Sequence, residues 1–300
     1  MQNYIAETTL FRISRDFLAL RSPIFGDMLS IPTPENAETM EGCPIVRLPD
    51  SANDITYFLK ALLYSEFFEP FPAPTSFPII AGVLRMSHKY EVDVLRKRAL
   101  IHFASRLPTT LQNWGTWGTW SPEISSHYLE AILLARQTSA LWILPAACYS
   151  VCSRVEIGNI IIGLDGHRDS LKSTDVVTCA RGVRYLDTTA TSKIFDSLWS
   201  RTISGCENPL RCAEERRAKR LEAEIFRAFE LGDVRPPPNL HFLEARHFEH
   251  LVVTAVCRVC KSHSEAANQA ARQSLWDRLP ELFNLPPWAE LEQMKAEALK

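Results

Sequence analysis

The stretch Leu10-Phe11-Arg12-Ile13-Ser14-Arg15-Asp16-Phe17-Leu18, continued by Ser22-Pro23-Ile24-Phe25-Gly26-Asp27-Met28-Leu29, constrains local structure more than any other part of this chain. Its first residues alternate between apolar and polar, as a half-buried strand does. Ser14 then stands where a helix N-cap is needed, its hydroxyl placed to accept a bond from a first-turn N–H, and a helix is expected to about Leu20. Ser22-Pro23 repeats the device, with serine as cap and proline at the first helical position, where its missing N–H is no loss. On this second helix Phe25, Met28 and Leu29 fall at helical spacing.

The flanking sequence extends the pattern. Tyr4 to Ala6 reads as a strand turning at Glu7-Thr8-Thr9 into the first, and Ile45 to Leu48 as a third strand beyond an exposed, proline-bearing loop from Ile31 to Pro44. Pro49-Asp50-Ser51 ends it, and Ile55, Phe58, Leu59, Leu62 and Leu63 follow at helical intervals. Pro70-Phe71-Pro72-Ala73-Pro74 is too rich in proline for helix or central strand. Helices are expected over Ile79 to Tyr90 and Val92 to Leu107. Residues 1–108 therefore read as one α+β domain. The duplicated Trp114-Gly115-Thr116-Trp117-Gly118-Thr119-Trp120 marks a linker loop over 109–125.

Residues 126–300 read as an all-helical extension. Its expected elements are His127 to Arg154, a capped start at Ser170 to Asp175, Ile194 to Trp199, a charged helix from Ala213 to Leu231, and a helix from His247 to Leu279-Pro280 with a proline-punctuated tail. Arg235-Pro236-Pro237-Pro238 must be extended.

Composition narrows the function classes. Lys and Arg number 33 against 35 Asp and Glu, which argues against the positive field of a nucleic-acid binder and against steering of acidic substrates. The most apolar region, Leu129 to Val155, is broken by Glu130, Arg136, Gln137, Pro145 and Arg154, short of the ~20 apolar residues that span a bilayer. Met1 to Glu7 carries no basic leader or long apolar run, so secretion is not expected and the eight cysteines read as reduced thiols or metal ligands in cytoplasm or nucleus.

Among those cysteines, Cys257-Arg258-Val259-Cys260 has the spacing with which two thiolates reach one tetrahedral zinc. Cys206 and Cys212, near Gly205 and Asn208-Pro209, are the best candidates for a second pair, with His263 as a third option. Two readings stand side by side. A structural zinc would staple the Cys206 segment to the C-terminal helix with ~10 kcal/mol or more from ligation. Buried thiols acting as small hydrophobes would account for the same residues. Cys148 and Cys152, one helical turn apart, read as core, while Cys43 and Cys179 have no partner in sequence.

Arg216-Arg217-Ala218-Lys219-Arg220 has the composition of a nuclear localisation or anion-binding patch. Interleaved Glu214, Glu215, Glu222 and Glu224 favour a solvated helix with ion pairs one turn apart. His241, His247 and His250 cluster with Glu244 and Glu249 but lack the HExxH order, so surface histidines are the default. Gly163-Leu164-Asp165-Gly166 is too sparse to cradle phosphate. The tryptophan triplet lacks interleaved basic residues, so burial or a protein contact is favoured over base stacking.

The opening resembles the BTB/POZ domain. Phe11-Arg12-Ile13 and Arg15 match the start of that family's pattern, Leu18, Ser22, Phe25, Met28 and Leu29 match the rest, and Ser14 replaces the usual His. The chain is similar to the large BTB group of mushroom-forming fungi in Leu107 to Leu111, Ala135 to Ala147, the pair Cys257 and Cys260, and Leu275 to Trp288. Members carry residues ahead of the first strand, and this chain begins almost inside it, which weakens the expectation of a strand-exchanged dimer. The resemblance implies a non-catalytic protein-protein interaction protein, self-associating and acting as an adaptor through Phe11, Ile13, Phe17, Leu18, Phe25, Met28 and Leu29. Its implied partners are a second copy, a cullin ubiquitin-ligase scaffold or a transcriptional corepressor. The rival expectations are a nuclear regulatory factor whose zinc-stapled helices contact nucleic acid or chromatin proteins, and a metal-dependent hydrolase built on the His241 to His250 region.

Overall fold

The computed structural model describes residues 1–32, 36–114, 125–155, 157–162, 171–190, 193, 202–230, 243 and 255–300. The chain divides into two units. One comprises Met1–Ser105, Arg136–Ala140 and Ala296–Lys300; the other comprises Arg106–Ala135 and Leu141–Lys295.

The first unit is α+β. β1 (Gln2–Ala6) and β2 (Thr9–Ile13) form an antiparallel hairpin pairing Ala6 with Thr9 and Gln2 with Ile13. α1 (Arg15–Arg21) and α2 (Pro23–Ser30) follow, capped as their sequence dictates: the Phe17 N–H donates to Ser14 Oγ at 3.3 Å and the Phe25 N–H to Ser22 Oγ at 3.1 Å. β3 (Thr39–Met40) and β4 (Cys43–Leu48) complete a sheet of order β2-β1-β4-β3. β4 runs parallel to β1, and the α1–α2 pair supplies the crossover that a parallel pair requires.

The segment from Ile31 to Pro44, expected as a loop, contains β3. Glu41 (φ 52°) and Gly42 (φ 73°) both take positive φ, which makes the tight turn whose twist suits a hairpin. Side chains of β1 hold that short hairpin: Asn3 Nδ2 donates to the Met40 carbonyl at 2.8 Å and Gln2 Nε2 to the Pro44 carbonyl at 2.6 Å.

The core of this unit is aromatic. The Phe25 ring stacks on Tyr90 at 4.3 Å and meets the edge of Tyr4 at 5.6 Å, with Phe58 beyond Tyr90. Ser22, itself buried, donates from Oγ to the Tyr90 carbonyl at 2.5 Å, so one hydroxyl caps α2 and satisfies a buried backbone oxygen. The Tyr90 hydroxyl donates to Asp50 Oδ2 at 2.6 Å, and burial followed by that bond holds the phenol far above its ordinary range. α3 (Ala52–Leu63), α4 (Phe77–Lys89) and α5 (Asp93–Arg106) complete the unit. α4 packs on α3 closely enough that a Cβ on Gly82 would lie 2.8 Å from Asp54 Oδ1.

The second unit is helical among the described residues. A short 3-10 turn (Leu111–Asn113) precedes α6 (Ser125–Gln137) and α7 (Leu144–Arg154). The sequence suggests one largely helical span here; it breaks at Ser139, whose φ of 58° ends the first helix, and restarts with Pro145 in the first turn of the second. α7 is buried around its whole circumference from Leu144 to Ser153, and its two serines bond to carbonyls of their own helix.

α8 (Ile157–Ile162) and α9 (Ser173–Tyr185) follow, the latter running into a π-helical turn (Leu186–Ala190). α10 (Pro209–Glu230) and α11 (Arg258–Asp277) are long, and α12 (Leu279–Leu282) and α13 (Trp288–Ala298) close the chain. The proline-punctuated tail is thus mostly helix, because Pro286 and Pro287 precede α13 rather than interrupt it.

A tryptophan cluster ties this end back to residues 109–114. Trp276 and Trp288 stack at 5.3 Å with rings 2° from parallel, and Trp114 packs on Trp276 at 5.5 Å. Trp276 Nε1 donates to the Thr109 carbonyl at 3.2 Å, and Lys295 Nζ to Thr109 Oγ1 at 3.0 Å. Trp114 therefore packs against its own unit. The remainder of the repeat, Trp117 and Trp120 included, lies outside the described residues.

Candidate metal centre

Cys206, Cys212, Cys257 and Cys260 converge, with all four Sγ atoms within 4.8 Å of one another. Among the described residues this is the one group of three or more His, Cys, Asp or Glu side chains close enough to share an ion. The construction repeats itself. Each pair puts one thiol in the turn before a helix and the other in that helix's first turn: Cys206 and Cys212 around the start of α10, Cys257 and Cys260 around the start of α11.

Local sequence explains both turns. Gly205 has φ of 74°, a left-handed conformation that glycine adopts without a side-chain clash, and the Cys206 N–H closes a turn onto the Ile203 carbonyl at 3.3 Å. Pro209 then opens α10, and the Cys212 N–H returns to the Asn208 carbonyl at 2.9 Å. Cys257 is the N-cap of α11 in extended conformation, and three residues on Cys260 lies in the first turn.

The sulfur separations discriminate among chemistries. Sγ of Cys206 lies 3.9 Å from that of Cys257 and 3.4 Å from that of Cys260. A disulfide needs about 2.05 Å, and all eight cysteines are free. With zinc–sulfur bonds of about 2.3 Å, a tetrahedron of thiolates has edges of about 3.8 Å. The observed separations bracket that edge.

The surroundings act on the four sulfurs in both directions. The Cys257 N–H donates to Cys212 Sγ at 3.3 Å, and backbone N–H groups of Cys260 and Glu207 bond the Cys257 thiol and pull its pKa down to about 6. Burial acts in the other direction on Cys260, pushing it up to about 12. Arg216, only 3% exposed, places Nη1 at 3.0 Å from Cys260 Sγ. It sits one helical turn beyond Cys212 on α10, so the same helix supplies a ligand and a counter-charge.

The basic run is thereby divided. Arg216 is turned inward onto sulfur, Arg217 is exposed, and Lys219 pairs with Glu222 at 3.1 Å. His263 lies exposed on α11 and takes no part in the cluster. Cys148, Cys152 and Cys179 are buried together, with Cys152 Sγ donating to the Cys179 carbonyl at 3.2 Å, while Cys43 sits half-buried on β4 of the first unit. Burial and thiol-thiol bonding hold Cys148 and Cys152 well above the usual range, so neither is a thiolate at neutral pH. His241, His247, His250, Glu244, Glu249, Gly163 to Gly166, Ile194 to Trp199 and the 235–238 proline run lie outside the described residues.

The seven residues singled out for interaction separate by burial. Ile13, Leu18, Phe25 and Leu29 are at most 9% exposed and belong to the core of the first unit, so they cannot meet a partner without unfolding it. Phe11, Phe17 and Met28 are half-buried. The most outward apolar side chains of this helix pair are ones the pattern did not select: Leu20 on α1, 82% exposed, and Ile31 at the end of α2, 67% exposed. Helical spacing alone could have found Leu20, which shares a face with Phe17 three residues earlier. No described helix is long and apolar enough to cross a membrane.

Comparison with family models, with curated proteins and with solved structures gives no match.

Proposed function

We propose that this chain is a non-catalytic protein-protein interaction protein of the BTB/POZ type, and that its first unit self-associates through α1 and α2. The observation that carries this reading is Leu20, a large apolar side chain 82% exposed on a helix whose opposite face is core. Phe17 adjoins it on α1, and Arg21 lies over the Phe17 ring at 5.5 Å. A pair of helices that keeps leucine and isoleucine in water has a surface suited to burial against a second copy.

Adaptor activity toward a third protein, such as a cullin scaffold or a corepressor, is the role the sequence resemblance assigns to such a module. The nuclear, nucleic-acid reading loses support from Arg216, whose guanidinium is spent on Cys260 rather than offered to phosphate. Light scattering coupled to size exclusion tests the proposal on the full chain. A mass near twice the 34.0 kDa of one chain is expected, falling on dilution. A constant 34.0 kDa at all accessible concentrations overturns it.

A further inference from the structure

We infer that Cys206, Cys212, Cys257 and Cys260 bind one zinc ion as a closed tetrathiolate, and that Arg216 is a fifth, non-ligating member of the centre that offsets its charge. This inference stands apart from self-association, since all five residues belong to the second unit.

Three independent features lead to it. The first is distance: four sulfurs from two segments lie within 4.8 Å, at separations that suit a tetrahedral edge and not a disulfide. The second is donor chemistry. Four sulfur donors with no carboxylate or imidazole select a soft or borderline ion held tetrahedrally, which excludes magnesium and calcium. With all four positions filled by protein, none is left for water or substrate, so the site is structural rather than catalytic.

The third feature is the set of hydrogen bonds around the sulfurs. Zinc with four thiolates carries a net charge of −2. Binding releases the thiol protons to solvent and transfers no electrons. A buried dianion is costly unless it is met by donors. Here the backbone N–H of Cys257 points at Cys212, two helix N-termini direct their positive ends toward the cluster, and the Arg216 guanidinium donates to Cys260 at 3.0 Å. Arg216, 3% exposed and in contact with Cys260 Sγ, places a positive charge where the metal thiolate would carry its negative one.

The test uses the full chain purified without chelators. One equivalent of zinc per chain is expected by elemental analysis. Replacing zinc by cobalt(II) should give the strong visible absorption of tetrahedral cobalt and a thiolate-to-cobalt charge-transfer band, whose intensity reports the number of thiolates. The Cys257→Ser and Cys260→Ser variants should lose that band in part.

Arg216→Met keeps every ligand, and is expected to lower zinc affinity 10- to 100-fold in chelator competition and to shift the charge-transfer band, with Arg216→Lys recovering part of both. A role confined to packing would leave the band in place. Should the cysteine variants fail to fold, the wild-type chain still decides: four slowly reacting thiols released by a chelator uphold the inference. Apo protein with no cobalt spectrum, two disulfides under native conditions, or a spectrum of octahedral cobalt would each overturn it.

Discussion

Leu20→Glu offers the sharpest check on self-association, because the magnitude follows from one exposed side chain. Full burial of a leucine is worth about 1.5–3 kcal/mol, and Leu20 has 82% of its surface still in water. In a two-fold contact the same residue is buried on both copies, so about 2.5–5 kcal/mol of dimer stability rests on this position. That corresponds to roughly two to three and a half orders of magnitude in the dissociation constant.

The folded monomer uses almost none of that surface. At concentrations where both chains are monomeric, the substitution should therefore leave thermal stability within about 0.5 kcal/mol of the parent. Sedimentation velocity over a concentration series, with a thermal melt at those monomeric concentrations as control, reads both quantities. A Leu20→Glu chain that dimerises with the parent's affinity refutes the assignment of α1 as the contact, and a variant that melts much earlier refutes the claim that Leu20 is idle in the monomer.

Two glycines in the second unit should respond oppositely to alanine. Gly158 on α8 has open space at its Cβ position, so Gly158→Ala should stabilise by up to about 1 kcal/mol, whereas a Cβ on Gly182 would lie 2.7 Å from Phe283 Cε1 and 2.8 Å from Cys152 Sγ. Overpacking of about 3 kcal/mol against a helix gain of about 1 leaves Gly182→Ala about 2 kcal/mol less stable in urea titration, and equal signs for the pair would contradict this. His88, whose pKa lies below the ordinary value through burial and then the Arg96 charge, favours the neutral imidazole in the folded state. Stability should therefore fall as pH drops through the unfolded-state value near 6.5 toward the lower folded one, and a His88→Gln chain should lose that part of the pH dependence. Ser22→Ala removes both an N-cap and the bond to the Tyr90 carbonyl, and should cost about 2 kcal/mol by chemical denaturation, more than the loss of the half-buried cap at Ser14.

What could be read in advance was whatever is local. Ser14 and Ser22 announce two helix starts within a few residues, and Cys257 and Cys260 announce a ligand pair by spacing alone. The second ligand pair was reachable because Gly205 and Pro209 mark a turn leading into a helix. Long-range features were not legible. β3 owes its existence to Asn3 and Gln2 reaching across from β1, and no property of Thr39-Met40 itself foretells that contact. The split between core and surface along α1 and α2 is not legible at Leu18, Phe25 and Leu29, because an apolar pattern records which positions are apolar and not which neighbours cover them. Arg216 reads in the sequence as one charge in a mixed run, since Cys260 lies 44 positions downstream.

Cys212 and Cys257 meet although 45 positions separate them. The stretch from one to the other therefore leaves the centre and comes back to it like the bow of a knot, with both ends held by the same cluster. The entropy of closing such a loop grows only logarithmically, about 0.6 kcal/mol for each doubling of length. The clasp therefore bears this long separation at a cost that depends only weakly on how many positions lie between its two pairs.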